Sequence, residues 1–221
     1  MDQPESRSVA SVTAASHVSV YEGAKRVLDV IVCLALLLLL APLLVIVGVA
    51  IWLDSGLPMV YRCERLGRYG RRITVLKFRT MANGSHHHLE ELLTADEERR
   101  REYGVSRKLR DDPRRTRVGA LLRRSSLDEL PQLLNVIAGD MSLVGPRPYF
   151  ADELAGRPEA AELLSVRPGV SGLWQVNGRS ERSFEERLAL EVDYVRRRSL
   201  ALDASIALRT MRAVVSGRGA Y

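Results

Sequence analysis

The residues with the clearest capacity for chemistry are two adjacent carboxylates, Asp128 and Glu129, in the stretch SSLDELPQLLNVIAGDMSLVGPRP (125–148). Pro131 and an apolar run follow them, which predicts a helix beginning at Pro131, because proline is tolerated at the first helical position. Ser126 and Glu129 also match a capping pattern that would start the helix a few residues earlier. In both cases the carboxylates lie beside the positive end of a helix, which also favours phosphate.

Helix capping alone would account for an isolated Asp-Glu pair, but a second feature nearby favours chemistry. Gly145-Pro146-Arg147-Pro148 is a stiff turn that holds one arginine between two prolines, a costly geometry for a solvated surface charge. The planar guanidinium of arginine binds phosphate through two parallel hydrogen bonds. This turn weakens the interpretation that the acidic pair only caps a helix.

Four segments of the chain are similar to motifs of the bacterial sugar transferases, or monotopic phosphoglycosyl transferases. They are KFRTM (77–81), DPRRTRVGALLRRSSLDELPQLLNVIAGDMSLVGPRP (112–148), RPGVSGLWQVNGR (167–179) and GAY (219–221). Enzymes of this family move a sugar phosphate from a UDP-sugar onto a polyprenol phosphate carrier. The resemblance implies a UDP-sugar donor, an undecaprenyl phosphate acceptor and release of UMP, as the first membrane step of polysaccharide or glycoconjugate synthesis.

The resemblance also implies roles for individual residues. Asp128 is the nucleophile that forms a covalent sugar-phosphoryl aspartate, and Glu129 supports the metal ion and the geometry of the pair. Transfer between two anionic substrates needs a divalent cation and fixed positive groups, so we expect Mg²⁺ bound by Asp128 and Glu129. The candidates for binding the substrate phosphates are Lys77, Arg123, Arg147 and Arg179, with Arg79 and Arg124 as further candidates.

The composition is basic, and its cations are almost all arginine. The 221-residue chain has a formal charge of +6, and only three of its 33 Lys and Arg residues are lysine. Codon bias in a GC-rich genome accounts for most of this excess, while phosphate binding and contact with anionic lipid headgroups are the functional alternatives. In such a chain Lys77, inside a matched motif, indicates a compact point charge chosen for phosphate.

A long apolar segment precedes the motifs, with 24 uncharged residues from Val30 to Leu53. As a straight helix it would be about 36 Å long, against a hydrocarbon core of about 30 Å, so a transmembrane helix is the first interpretation. Pro42 in mid-run and basic residues on both flanks favour instead a helix–break–helix that enters and leaves by one membrane face. The family resemblance implies the same re-entrant shape, with the break at Ala41-Pro42.

The sequence thus predicts a mainly α protein with a small β-hairpin and three regions. These are a disordered N-terminal tail (1–22), a re-entrant membrane helical hairpin (23–54) and a globular catalytic domain with amphipathic interfacial helices (55–221). The β-hairpin is expected over 60–78, and helices are expected over 89–103, 184–198 and 202–215. The resemblance places the catalytic domain on the cytoplasmic face of the bacterial plasma (inner) membrane, in contact with membrane lipid.

Some interpretations remain open at the level of sequence. His86, His87 and His88 match no zinc signature, and a polar loop before a helix is the preferred interpretation.

A membrane-tethered nucleic-acid binder and a non-catalytic scaffold are the alternative functions. Aromatic residues make up only 5% of the chain, and the arginines lead into the acidic pair, so a phosphate pocket is preferred to nucleic acid. The transferred sugar and a homodimeric state are not specified.

Overall fold

The computed structural model describes residues 5–106, 109, 111–178 and 182–216. Side chains are described over the same ranges, except for 5–19, 86, 87, 105, 106 and 214–216. The GAY motif (219–221) and Arg179 therefore lie outside the described residues. The same holds for the side chains of His86 and His87.

The longest element is helix α1, Glu5–Ser55, with 51 residues. Its segment Val20–Ser55 is the one helix in the described part of the chain that is long and apolar enough to cross a membrane. Ala41 and Pro42 are helical, and Pro42 lies inside α1. A re-entrant turn of the helix at these residues stays a prediction. Leucines on both sides of the proline pack against the rest of the protein, and this packing offsets the hydrogen bond that proline removes.

The helix also extends further towards the N-terminus than predicted. Residues 5–22, expected to form most of a disordered tail, are part of α1. Adding residues to an existing helix costs far less free energy than nucleating a new one, and the alanines of this segment favour helix. The low complexity of the segment concealed its continuity with the apolar helix.

The predicted β-hairpin is present directly after α1. Strands β1 (Val60–Leu66) and β2 (Arg72–Phe78) pair antiparallel, in a register that places Cys63 opposite Val75. A 3₁₀ turn connects the strands and ends at Gly70, whose φ of 75° lies in the left-handed region that glycine adopts without steric cost. The hairpin therefore begins and ends where the turn residues indicated.

Most of the remaining chain is helical, as predicted. The elements are α2 (Ser85–Ala95), α3 (Glu97–Ser106), α4 (Arg117–Ser125), a 3₁₀ turn (Leu127–Glu129), α5 (Gln132–Ala138), α6 (Ala151–Leu154), α7 (Ala160–Leu163), α8 (Phe184–Arg197) and α9 (Leu200–Ser216). Helix α5 begins after Pro131, whereas Ser126 makes no side-chain capping bond. The expected helices over 89–103, 184–198 and 202–215 correspond to α2 with α3, to α8 and to α9.

Two short strands are not apparent from the sequence. β3 (Ser142–Val144) and β4 (Gly169–Ser171) pair in parallel. Strands of three residues are too short to show a periodic pattern. The pairing requires glycine, because a Cβ on Gly169 would lie 2.1 Å from the backbone nitrogen of Gly145.

Helix α1 packs on the protein with one face and exposes the other. Cys33 joins a buried cluster with Val136 of α5, and Ile51 joins another with Leu122 of α4. The opposite face carries large apolar side chains that are between 65% and 81% exposed: Leu38, Leu39, Val45, Ile46 and Leu53. A continuous exposed apolar surface of this kind marks an interaction face.

Asn135 of α5 binds the edge of the hairpin in the way that a third strand would. Its Oδ1 accepts the main-chain N–H of Leu76 at 2.9 Å, and its Nδ2 donates to the main-chain carbonyl of Thr74 at 2.7 Å. Asn135 is only 5% exposed. These two bonds hold α5, and with it the acidic pair, against β2.

Replacing Asn135 should therefore destabilise the fold. Asn135→Ala leaves one donor and one acceptor of β2 unpaired, and a buried unpaired group costs about 1–3 kcal/mol. We expect the thermal unfolding midpoint in detergent to fall by roughly 2–12 °C. Leu134→Ala is the matched control, since Leu134 is the neighbour in α5 and is 50% exposed. Equal losses in the two variants would show that the Asn135 bonds contribute little.

Candidate active site

The acidic pair lies on the 3₁₀ turn that joins α4 to α5. Helix α4 begins at Thr116, whose Oγ1 accepts the N–H of Gly119 at 2.9 Å. It ends at Ser126, which has a φ of 57° in the left-handed region. This conformation costs a non-glycine residue roughly 1–3 kcal/mol and occurs often at functional sites. Ser126 turns the chain so that Asp128 and Glu129 follow α4 directly.

Close packing brings α4 beside the KFRTM segment that leaves β2. A Cβ on Gly119 would lie 2.0 Å from the carbonyl oxygen of Thr80, so only glycine permits this approach. One turn later in α4, Arg123 donates from Nε to Thr80 Oγ1 at 3.0 Å. The hydrogen bond fixes the guanidinium next to the acidic turn.

Two of the predicted phosphate-binding residues meet the acidic pair. Lys77 of β2 donates from Nζ to Glu129 Oε1 at 2.6 Å, and their side chains are 30% and 32% exposed. Burial lowers the pKa of Arg123, and the negative charge of Asp128 opposes that shift. The structure therefore assembles Asp128, Glu129, Lys77 and Arg123 from β2, α4 and the turn into one site.

The environment changes the acidity of Asp128. Burial raises its pKa to about 6, the charge of Glu129 adds to the shift, and Lys77 and Arg123 oppose it. A carboxylate with a pKa near 6 is more basic than an ordinary aspartate, yet it remains mostly ionised at pH 7. The role of Asp128 as nucleophile stays a prediction.

The pair fits Mg²⁺ by the type and number of its ligands. Within the described residues there is no group of three or more His, Cys, Asp or Glu side chains that could hold a metal ion. Proteins often give Mg²⁺ only one or two carboxylates, and substrate phosphates and water complete the shell. A cation between Asp128 and Glu129 would also relieve the repulsion that raises the pKa of Asp128. Mg²⁺ stays a prediction, as does the interpretation of His86, His87 and His88.

Arg147 lies in a second cluster of cations. Its guanidinium is 5.9 Å from the ring centre of Trp174, and that of Arg187 is 5.2 Å from the same ring. Burial lowers the pKa of both Arg65 and Arg187, and the charge of Arg147 adds to the shift in each. Two guanidinium groups therefore lie near Trp174, and Arg65 is close enough to Arg147 for their charges to interact. A phosphate role for Arg147 stays a prediction. Arg179 lies outside the described residues.

A buried carboxylate holds the turn that carries Arg147. Glu191 of α8 is 0% exposed, accepts the backbone N–H of Arg147 at 2.6 Å and accepts the hydroxyl of Tyr149. Burial raises the pKa of Glu191 to about 7. Its role is not apparent from the sequence, although one signal was present: Glu191 lies on the same apolar helix face as Leu188 and Val195.

Arg79, a further candidate from KFRTM, has a structural position. It is 7% exposed, and its Nη2 donates to the carbonyls of Ser55 at 2.7 Å and Gly56 at 2.6 Å. These carbonyls end α1, where a cation interacts favourably with the helix dipole. KFRTM therefore joins the end of the apolar helix to the site through Arg79 and Lys77.

The structure thus combines an acidic pair and two cations with an apolar helix long enough to cross a membrane. The model of the family described as bacterial sugar transferase matches residues 20–217. The chain belongs to this family, which confirms the resemblance found in its motifs.

Curated relatives cover most of the chain. Exopolysaccharide production protein ExoY of Sinorhizobium fredii is 43% identical over 198 residues, which are 89% of this chain and 88% of that protein. UDP-glucose:undecaprenyl-phosphate glucose-1-phosphate transferase of Caulobacter vibrioides is 41% identical over 208 residues, 89% of this chain and 72% of that protein. Undecaprenyl-phosphate galactose phosphotransferase of Salmonella typhimurium is 40% identical over 198 residues, 89% of this chain and 41% of that protein. The chain is a transferase, and the scaffold alternative loses its support.

The raised pKa of Asp128 has a consequence for stability. The folded protein binds the Asp128 proton more tightly than the unfolded chain, whose pKa has the ordinary value of 3.8, so stability is lost as the pH rises from about 4 through about 6. Asp128→Asn should remove this cost at pH 8 and stabilise the protein by about 1–2 kcal/mol, or roughly 2–8 °C in midpoint. At pH 5 the gain should be smaller.

The control for this measurement is Asp140→Asn. Asp140 accepts from Arg71 at 2.5 Å, in a surface ion pair, so its replacement should bring no gain at pH 8. The measurement is the thermal unfolding midpoint of the unchanged protein, of Asp128→Asn and of Asp140→Asn, each at pH 5 and at pH 8. A lower midpoint for Asp128→Asn than for the unchanged protein at pH 8 would contradict the expectation.

Proposed function

We propose that this chain transfers a sugar-1-phosphate from a UDP-sugar to undecaprenyl phosphate and releases UMP, in the first membrane step of polysaccharide or glycoconjugate synthesis. The observation that carries the proposal is the meeting of Asp128, Glu129, Lys77 and Arg123 in one site. The printed names of the relatives support the substrate classes, since the Caulobacter relative is named for UDP-glucose and undecaprenyl phosphate and the Sinorhizobium relative for exopolysaccharide production.

The reaction proceeds in two displacements at one phosphorus atom. A carboxylate oxygen of Asp128 attacks the phosphorus that carries the sugar, a P–O bond forms, and the bond to UMP breaks with its electron pair going to UMP. An oxygen of undecaprenyl phosphate then attacks the same phosphorus, and the acyl phosphate bond breaks to restore the Asp128 carboxylate. Each step exchanges one P–O bond for another, so no oxidant or reductant is needed.

The cations of the site offset the charge that accumulates in these steps. Lys77 uses one of its three N–H donors on Glu129, and the others are available for phosphate oxygens. The bond from Arg123 Nε to Thr80 orients the terminal nitrogens of that guanidinium. Mg²⁺, held by Asp128 and Glu129, would supply further neutralisation of the diphosphate. Arg147, beside Arg65 and Arg187, and Arg179 are the remaining phosphate-binding candidates.

We also propose that α1 is embedded from the cytoplasmic face of the plasma membrane and returns to the same face. Near one end of its apolar segment, Lys25 pairs with Asp203 of α9 at 2.7 Å. Near the other end, Asp54 accepts the N–H of Val118 of α4 at 3.2 Å. Both ends thus contact one domain, which a helix that crossed the bilayer and left the domain behind would not do. Exposed Leu208 and Met211 of α9 and Leu121 of α4 provide further lipid contacts: they are 60%, 66% and 54% exposed.

The covalent step can be tested without the lipid acceptor. Enzyme with UDP-sugar and Mg²⁺ should release about one UMP per active site, and labelled UMP should exchange into UDP-sugar, as expected for two-step kinetics. A peptide containing Asp128 should gain the mass of a sugar phosphate, which hydroxylamine removes. Asp128→Asn should abolish all three signals, whereas Asp140→Asn should retain them. An enzyme that is active with lipid but shows neither exchange nor adduct would make Asp128 a metal ligand only.

The membrane path predicts that the N-terminal segment stays in the cytoplasm. Ser6→Cys introduces an N-terminal thiol, and the native Cys33 and Cys63 are both buried and give a low background. An impermeant thiol reagent should label this variant only after the cells are opened. Labelling in intact cells would place the N-terminus outside and refute the re-entrant path, while leaving the chemistry of Asp128 untouched.

A further inference from the structure

A charged cleft separates the start of the apolar helix from the rest of the domain. Its walls include Glu22 and Lys25 of α1, Arg167 before β4, and Arg198 after α8. The empty volume is about 330 Å³, including the open mouth. No residue of the acidic pair takes part in the walls, so the proposed reaction does not use this cleft.

Three arginines converge on Glu22, and two of them, Arg167 and Arg198, line the cleft. Arg68, Arg167 and Arg198 come from three separate segments, and their side chains are 29%, 31% and 22% exposed. Each is held by one main-chain carbonyl: Arg68 Nε by Ser165 at 2.9 Å, Arg167 Nε by Gly139 at 2.9 Å, and Arg198 Nη1 by Val195 at 2.5 Å. Each of the three side chains is therefore fixed by a main-chain bond and remains partly exposed.

Glu22 alone does not satisfy these three cations. Its carboxylate oxygens lie 3.3 Å from Arg68 Nη1, 3.9 Å from Arg167 Nη1 and 3.8 Å from Arg198 Nε. These distances exceed the 2.7–2.9 Å of a charge-assisted hydrogen bond. Arg198 Nε is buried and has no hydrogen-bond partner among the described residues. Spare N–H donors and an excess of positive charge therefore face the cleft.

The other charges around the cleft are paired and do not cancel this excess. Lys25 pairs with Asp203 at 2.7 Å, and Asp29 accepts from Ser142 Oγ at 2.6 Å. Arg26 donates to the carbonyls of Val136 and Ile137 at the end of α5. Five cations thus surround three carboxylates: the cations are Lys25, Arg26, Arg68, Arg167 and Arg198, and the carboxylates are Glu22, Asp29 and Asp203.

The cleft lies at the boundary between the charged and the apolar surface of α1. Val27 and Leu28 are 58% and 48% exposed and begin the outward apolar face. Glu22 precedes Val27 by five residues, which is at most about 7.5 Å along the helix. The headgroup layer of a bilayer is about 5–8 Å thick on each side of the hydrocarbon core. If α1 is embedded as proposed above, the arginines lie at the depth of lipid phosphates.

We infer that this cleft binds the phosphate group of an anionic membrane lipid through Arg167 and Arg198, with Arg68 completing the cradle. The site is separate from the acidic pair, because Arg26 beside the cleft contacts the C-terminal end of α5, whereas Asp128 precedes its N-terminal end. A lipid bound here bridges the start of α1 to Arg167 and Arg198 of the domain. It would hold the catalytic domain at a fixed height on the membrane.

The test measures lipid binding by the purified full chain in detergent, with short-chain phosphatidylglycerol as the probe. Arg167→Gln combined with Arg198→Gln should weaken binding by about tenfold or more, the effect of losing charge-assisted hydrogen bonds. Arg196→Gln combined with Arg197→Gln is the matched control: it removes two charges next to Arg198, from side chains that are 66% and 70% exposed. This control should bind the lipid as the unchanged protein does.

A second variant should change the affinity for the lipid in the opposite direction, a result that loss of folding could not produce. Glu22→Gln removes the carboxylate that competes for the arginines, so it should tighten binding of phosphatidylglycerol. Equal affinity in the double variant and its control, or unchanged affinity in Glu22→Gln, would overturn the inference. Inorganic phosphate binding as tightly as the lipid would assign the cleft to a free anion, and diacylglycerol binding as tightly would remove any role for phosphate.

The outcome is independent of the proposed catalytic step. The double variant should still form the adduct on Asp128, because neither arginine belongs to that site. If the unchanged protein binds phosphatidylglycerol but forms no adduct, the proposed chemistry fails and the lipid site stands. If the adduct forms and the arginine variants bind lipid normally, the lipid site fails and the chemistry stands.

Discussion

The packing of one face of α1 along the domain is the constraint on which the rest of the structure depends. Near its start, Arg26 donates to carbonyls at the end of α5, the helix that follows the acidic pair. At its end, Arg79 binds the last carbonyls of α1, two residues after Lys77 reaches Glu129. The apolar helix is thus connected to the acidic site from both of its ends. A change in the position of α1 would therefore change the geometry of the acidic site.

Two buried carboxyl groups of this protein, Asp128 and Glu191, have raised pKa values. Asp128 keeps a pKa of about 6 because burial and Glu129 outweigh Lys77 and Arg123. Glu191 is buried with two hydrogen-bond donors, and burial raises its pKa to about 7. Such groups reduce stability at neutral pH, and they are retained where they fix or provide functional geometry. A site that must bind an anionic substrate benefits from cations that are not already satisfied.

Much of the architecture was predictable from the sequence because it is local. The β-hairpin around Gly70 and the start of α5 after Pro131 depend on turn and capping preferences within a few residues. The amphipathic helices α8 and α9 show their apolar period directly. The re-entrant turn at Ala41-Pro42 stays a prediction: both residues are helical, and leucines of the flanking turns pack against the domain. The helix before residue 23 was missed because the composition of that segment concealed its continuity with the apolar helix.

By itself, the sequence determined the family, the acidic pair, the apolar segment and most of the helices, because these depend on residue types and on short-range spacing. Only the tertiary structure decided that Lys77 and Arg123 meet the pair, while Arg147 joins Arg65 and Arg187. Glu191 contacts Arg147 across 44 residues of chain. Contacts of this range arise when separate elements pack, and their partners are selected by shape and burial rather than by any neighbouring residue.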